Sequence, residues 1–124
     1  MNKPTVDLFS DTKTRPSQNM LTAMMAAETG DEQANEDPTT RMLQERVADL
    51  LGKEDALFLP SGTMCNQIAI AVHCRPGDEI IADKTSHIIN FEAGGAAVIG
   101  QAMIKSLEGE RGIFTVEQAS RALR

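Results

Sequence analysis

An apolar run that breaks abruptly into a stretch free of glycine and proline constrains this 124-residue chain more than any other feature. Ala56–Leu59 predicts a short buried strand, and Pro60 and Gly62 end it. Thr63–Cys74 then holds neither breaker and predicts a helix. A turn of small polar residues thus delivers the chain into a helix N-terminus. Unpaired N–H groups and the positive end of the helix dipole meet there, which makes a seat for a phosphate. Gly62 lets backbone approach an anion closely, and the Ser61 and Thr63 hydroxyls add donors. The same Ser61 reads equally as an ordinary N-cap, and the turn taken alone favours that plainer reading.

Around this stretch the chain alternates. Val6–Phe9 predicts a strand. Ser17 predicts the cap of a helix whose Met20, Leu21, Met24 and Met25 form one stripe, suited to core or interface, and Gly30 is expected to stop it. The acidic connector Asp31–Pro38 reads as a solvated loop rather than a metal or acid–base site. It ends with Asp37 as a cap and Pro38 in the first helical position. Leu43, Val47, Leu50 and Leu51 then share a face, and Gly52 fits just past the helix end. The helix after Gly62 is apolar nearly all round (Met64, Ile68, Ile70, Val72), so burial by a sheet or a second subunit is expected. Glu79–Ala82 and Ala102–Ile104 predict further strands. Thr85 is expected to cap a helix over Ile88–Val98 loosened by Gly94-Gly95, and Thr115 with Gln118 signals a capping box for a last helix. The alternation after residue 38 predicts an α/β fold with a mostly parallel sheet. No linker divides 1–124, and the last helix is expected to run past Arg124, as in the first part of a longer protein.

Charge and composition narrow the partners. A net charge of −6 argues against nucleic acid and anionic membrane, and with no Trp or Tyr there is no base-stacking platform. No apolar run is long enough to span a membrane, and the N-terminus lacks the apolar core of a signal peptide. Cys65 and Cys74 are about 13 Å apart along one predicted helix, too far for a disulfide. Reduced thiols in a cytoplasmic protein are expected. P-loop, dinucleotide-binding, serine-hydrolase and zinc-protease motifs are missing, and no metal-ligand spacing occurs.

Two histidines remain. His73 near the end of the apolar helix reads as structural. His87 follows a predicted strand, and open α/β sheets place their sites beyond the carboxyl ends of strands. If the two strands are neighbours, His87 and the Ser61–Thr63 turn share a crevice. An imidazole there either simply opens a helix, or stacks on an aromatic cofactor or moves a proton. Glu92, taken alone, reads as a solvated helical carboxylate.

Four segments, in order, resemble one known family: Val6–Pro16 with its Ser-Asp-Thr-Lys-Thr-Arg-Pro; Gly30–Glu32 with Glu36–Thr39; Pro60–Asn66; and His87 with Phe91–Gly95. They are similar to the signatures of low-specificity L-threonine aldolases and β-eliminating lyases. The resemblance implies a pyridoxal 5'-phosphate enzyme, and this chain would be the N-terminal part of a fold type I (aspartate-aminotransferase type) large domain. In that family the β-hydroxyl of a β-hydroxy amino acid loses its proton and Cα–Cβ breaks. The cofactor ring takes up the electrons, and glycine and an aldehyde remain. By the same resemblance Gly62 and Thr63 bind the cofactor phosphate, and His87 stacks on the ring and is the candidate for proton transfer. Ser10 helps hold the substrate carboxylate, and Glu92 receives no role. Many members have Tyr and Gly where this chain has Ala34 and Asn35, and Arg where it has Phe9. The family's Schiff-base lysine would fall after Arg124, and Lys84 does not match it. A homodimer or homotetramer is implied. Two other readings stand beside this one: a pyridoxal-phosphate β-eliminating lyase acting on another amino acid, and a truncated, non-catalytic chain that only associates.

Overall fold

The computed structural model describes residues 6–123. The chain divides into two compact units, Met1–Phe58 and Leu59–Arg124. The boundary falls inside the apolar run at residues 56–59.

The first unit is built by helix caps. Ser10 caps a single 3-10 turn, Asp11–Lys13. Helix α1, Gln18–Ala26, starts where the Ser17 hydroxyl accepts the Met20 N–H at 3.3 Å. It ends four residues before Gly30, because Ala27 is already extended (ψ 134°). Gly30 is small for another reason: a Cβ there would lie 2.3 Å from the Glu36 carbonyl oxygen. Helix α2, Pro38–Leu51, begins as expected with Pro38 in its first turn, and Asp37 accepts the Thr40 N–H at 2.7 Å and the Gly30 N–H at 3.0 Å. Gly52 closes α2 in the left-handed region, φ 61°. Neither Val6–Phe9 nor Ala56–Leu59 is a strand. The Phe58 N–H goes to the Gln44 side-chain oxygen at 2.9 Å, away from any ladder. The acidic connector is a turn closed by the Glu36 N–H on the Asp31 carbonyl at 2.8 Å. Among the described residues no His, Cys, Asp and Glu group could hold a metal.

The second unit carries the sheet. Helix α3, Gly62–His73, precedes β1, Glu79–Asp83, which pairs in parallel with β2, Met103–Leu107. The register runs from Glu79 opposite Met103 to Asp83 opposite Leu107. The crossover is not one helix over Ile88–Val98 but two single turns, α4 (His87–Asn90) and α5 (Gly95–Val98). Ala93 (φ 49°) and Gly94 (φ 76°) separate them in the left-handed region, which no helix continues through. Thr85 does not cap α4. Its hydroxyl donates to Asp83 at 2.6 Å, and Ser86 takes the N-cap position without a side-chain bond. Helix α6, Val116–Ala122, has the full Thr115/Gln118 capping box, and the Leu123 N–H closes it on the Ala119 carbonyl at 3.2 Å.

Helix α5 packs on α3 and β2, and α6 packs on β2. The buried residues between them are mostly small: Ile70, Ala82, Ala96, Ala102 and Ala122. The expected burial of α3 is met by a single residue, Ile70, while Val72 on the same helix is 72% exposed. A helix apolar all round needs cover on every side, and this unit supplies it on one. No helix among the described residues is long and apolar enough to cross a membrane.

Candidate active site

The turn before α3 is an open helix start. The Ser61 hydroxyl accepts the Met64 N–H at 3.1 Å, and the Ser61 carbonyl accepts the Cys65 N–H at 3.1 Å. Capping therefore uses only the third and fourth donors of the helix. The N–H groups of Gly62 and Thr63 have no partner among the described residues. Both residues are exposed, and a Cβ on Gly62 would meet nothing within 4 Å. Free donors, clear space and the positive end of a 12-residue helix fit a phosphate group.

His87 opens α4 just past the carboxyl end of β1. Its ring lies 5.3 Å from the Phe91 ring, tilted by 44°. Its Nδ1 is 2.8 Å from Oε1 of Glu92. The Glu92 side chain has no exposed surface, whereas that of His87 is 55% exposed. Two amides from the second turn of α3 complete the carboxylate's shell: Asn66 Nδ2 donates to Oε1 at 2.7 Å, and Gln67 Nε2 donates to Oε2. The Asn66 bond, with those from His87 and Gln67, holds the Glu92 carboxyl below its usual range against the opposing effect of burial.

The structure thus ties His87 to the helix that begins with Gly62 and Thr63. Glu92 is the link: it bonds Asn66 and Gln67, which lie one helical turn along α3 from Gly62 and Thr63. It is a buried, fully engaged carboxylate, not the solvated one expected. The sequence does carry a faint signal for its partners: Asn66 and Gln67 are the only polar residues between Met64 and Val72 apart from Cys65. Asp83 braces the same loop. It is buried at the end of β1 and accepts from the Thr85 N–H and the Gly109 N–H, each at 2.8 Å. Ser10 belongs to the first unit, where its hydroxyl is 2.9 Å from that of Thr12. His73 lies exposed in the last turn of α3, and Cys65 and Cys74 are free thiols.

A parallel α/β crossover with an open helix start and a carboxylate-bound imidazole is a frame suited to a phosphate-bearing ligand. Residues 7–124 match the beta-eliminating lyase family, and the chain belongs to that family. It is 54% identical over 95 residues to the low specificity L-threonine aldolase of Escherichia coli strain K12, covering 77% of this chain and 28% of that protein. It is 45% identical over 121 residues to low-specificity L-threonine aldolase 1 of Arabidopsis thaliana, covering 96% of this chain and 34% of that protein. Against the low specificity L-threonine aldolase of Saccharomyces cerevisiae the identity is 43% over 99 residues, with 79% and 26% covered. The chain thus spans between about a quarter and a third of the length of these relatives.

Proposed function

We propose that this chain is the N-terminal portion of a threonine-aldolase-like lyase that uses pyridoxal 5'-phosphate to cleave L-threonine or L-allo-threonine to glycine and an aldehyde. The observation that carries the reading is the bridge from the α3 helix start to His87 through Glu92. Gly62 and Thr63 hold the phosphate with their free N–H groups. His87 lays its exposed ring against the pyridine ring, and its unbonded Nε2 takes the proton from the substrate's β-hydroxyl. Ser10 receives the substrate carboxylate. When bound, the cofactor supplies the electron sink for breaking Cα–Cβ. The same reading places the chain in a fold type I large domain, within a cytoplasmic homodimer or homotetramer. It leaves the covalent cofactor anchor to a lysine outside these residues.

Titrating the purified chain with pyridoxal phosphate, read by absorbance and followed by borohydride reduction, tests this. Weak, non-covalent binding that inorganic phosphate competes away is expected. His87→Ala should weaken it roughly fivefold, since a stacked ring is worth about 1 kcal/mol. Binding insensitive to both phosphate and His87→Ala would remove the half-site. A reducible bond to a defined lysine of this chain would overturn the assignment of the anchor elsewhere. The family's own description keeps β-elimination as the second reading. Products from an enzyme carrying this chain separate the two: glycine with an aldehyde, or pyruvate with ammonia.

A further inference from the structure

Glu92 controls more than the position of the His87 ring. Two of its partners, the Asn66 and Gln67 amide nitrogens, are donors, the third is His87 Nδ1, and all three reach a side chain wholly withdrawn from water. Such a shell is complementary to the anion and not to the acid. An ionised carboxylate only accepts hydrogen bonds, so the atom facing it must carry a proton. In His87 that atom is Nδ1. The neutral ring then bears its lone pair on Nε2.

Gln67 shows the same dependence. Its Nε2 points at Glu92, and its own Oε1 is buried without a partner. Turning the amide over would set that oxygen against a carboxylate oxygen, so the carboxylate dictates the amide's orientation at the expense of a buried orphan acceptor. The fold also keeps room for this amide. A Cβ on Gly95, the first residue of α5, would lie 2.3 Å from the Gln67 Oε1.

We infer that Glu92 is a positioning residue that holds His87 as the Nδ1–H tautomer, with Nε2 as its proton-accepting atom, and that Asn66 and Gln67 fasten this arrangement to helix α3. The inference deepens the reading of His87 as the proton acceptor and rests on it for its catalytic meaning. Its consequence is mechanical as well as chemical. The ring is referenced to the helix that seats the phosphate, rather than to the turn around Thr85.

Nitrogen-15 NMR of the imidazoles in the cofactor-free chain tests it. The chain has two histidines, and His73→Gln assigns them. An unconstrained neutral histidine in water favours the Nε2–H form. His87 should show the inverted ratio, with a pyridine-like Nε2, while His73 keeps the ordinary one. In Glu92→Ala the His87 ratio should revert with the His73 signals unmoved. A wild-type His87 that is mainly Nε2–H overturns the inference, and so does a folded Glu92→Ala in which Nδ1–H still prevails. The wild-type spectrum decides even if that variant does not fold. A chain that fails to bind pyridoxal phosphate yet shows the inverted ratio would defeat the proposed function and leave this inference standing.

Discussion

Among the described residues Asp83 and Glu92 are the two buried carboxylates of the second unit, and both accept from donors. The Thr85 hydroxyl, then the Thr85 and Gly109 N–H groups, hold the Asp83 carboxyl below its ordinary range. A carboxyl lowered in the folded state stabilises above its unfolded pKa, about 3.9 for Asp and 4.3 for Glu. That stability is lost as pH falls through the lowered folded value. Both groups therefore contribute fully at neutral pH and fail in acid. Asp83→Asn should destabilise the chain at pH 7 and make less difference at a pH well below the ordinary carboxyl value, in urea denaturation at both. An equal deficit at the two values would show that the charge is irrelevant. Neither carboxylate announced this role in the sequence. The Asn66 and Gln67 donors to Glu92 come from 26 and 25 residues upstream, and Gly109 lies 26 residues after Asp83. His87, Gly62 and Thr63 were legible as single residues, since a helix start and the end of a strand are local features. What joins them is not.

Helix boundaries followed the sequence where three or four residues decide them. Ser17, Asp37, Ser61 and the Thr115/Gln118 pair all cap as their spacing predicts. Strands behaved differently. A strand exists only where a neighbour supplies donors and acceptors, and β1 and β2 have each other. Val6–Phe9 and Ala56–Leu59 have the apolar pattern but no ladder among the described residues. The crossover breaks into two turns for a different reason: Ala93 takes the left-handed conformation that glycine usually signals, one residue earlier than the Gly94-Gly95 pair suggests. Caps also yield a prediction that separates stability from binding. Ser61→Ala removes the acceptor for the Met64 N–H and should cost about 1 kcal/mol. It leaves the Gly62 and Thr63 N–H groups in place. Denaturation should register the loss, while pyridoxal phosphate affinity should change little. A large loss of affinity at unchanged stability would make the Ser61 hydroxyl a ligand rather than a cap.

At the scale of the whole chain, the buried apolar residues among those described are five alanines and Ile70, while many large side chains lie exposed. Among the described residues no large side chain is fully buried, while Met25 is 90%, Val98 76% and Val72 72% exposed. Scattered apolar surface is ordinary, but α1 shows Met20, Met24 and Met25 together, and the exposed set also includes most of the large side chains of α2 and α3. Removing such area from water is worth roughly 25 cal/mol per Å². Opposing that gain is the net charge of −6, which repels like copies. Salt shortens the range of that repulsion, to about 10 Å at 0.1 M, and leaves apolar attraction intact. The purified chain should therefore sediment above its 13.4 kDa monomer mass, increasingly so as salt is raised, and should bind an apolar dye. Met24→Glu with Met25→Glu, which adds charge to the most open part of the stripe, should lower both readings. A dye-silent monomer at low and high salt alike would mean that these side chains find cover within the chain in solution. Association that salt weakens would mean that ion pairs, not the methionine face, hold the copies together.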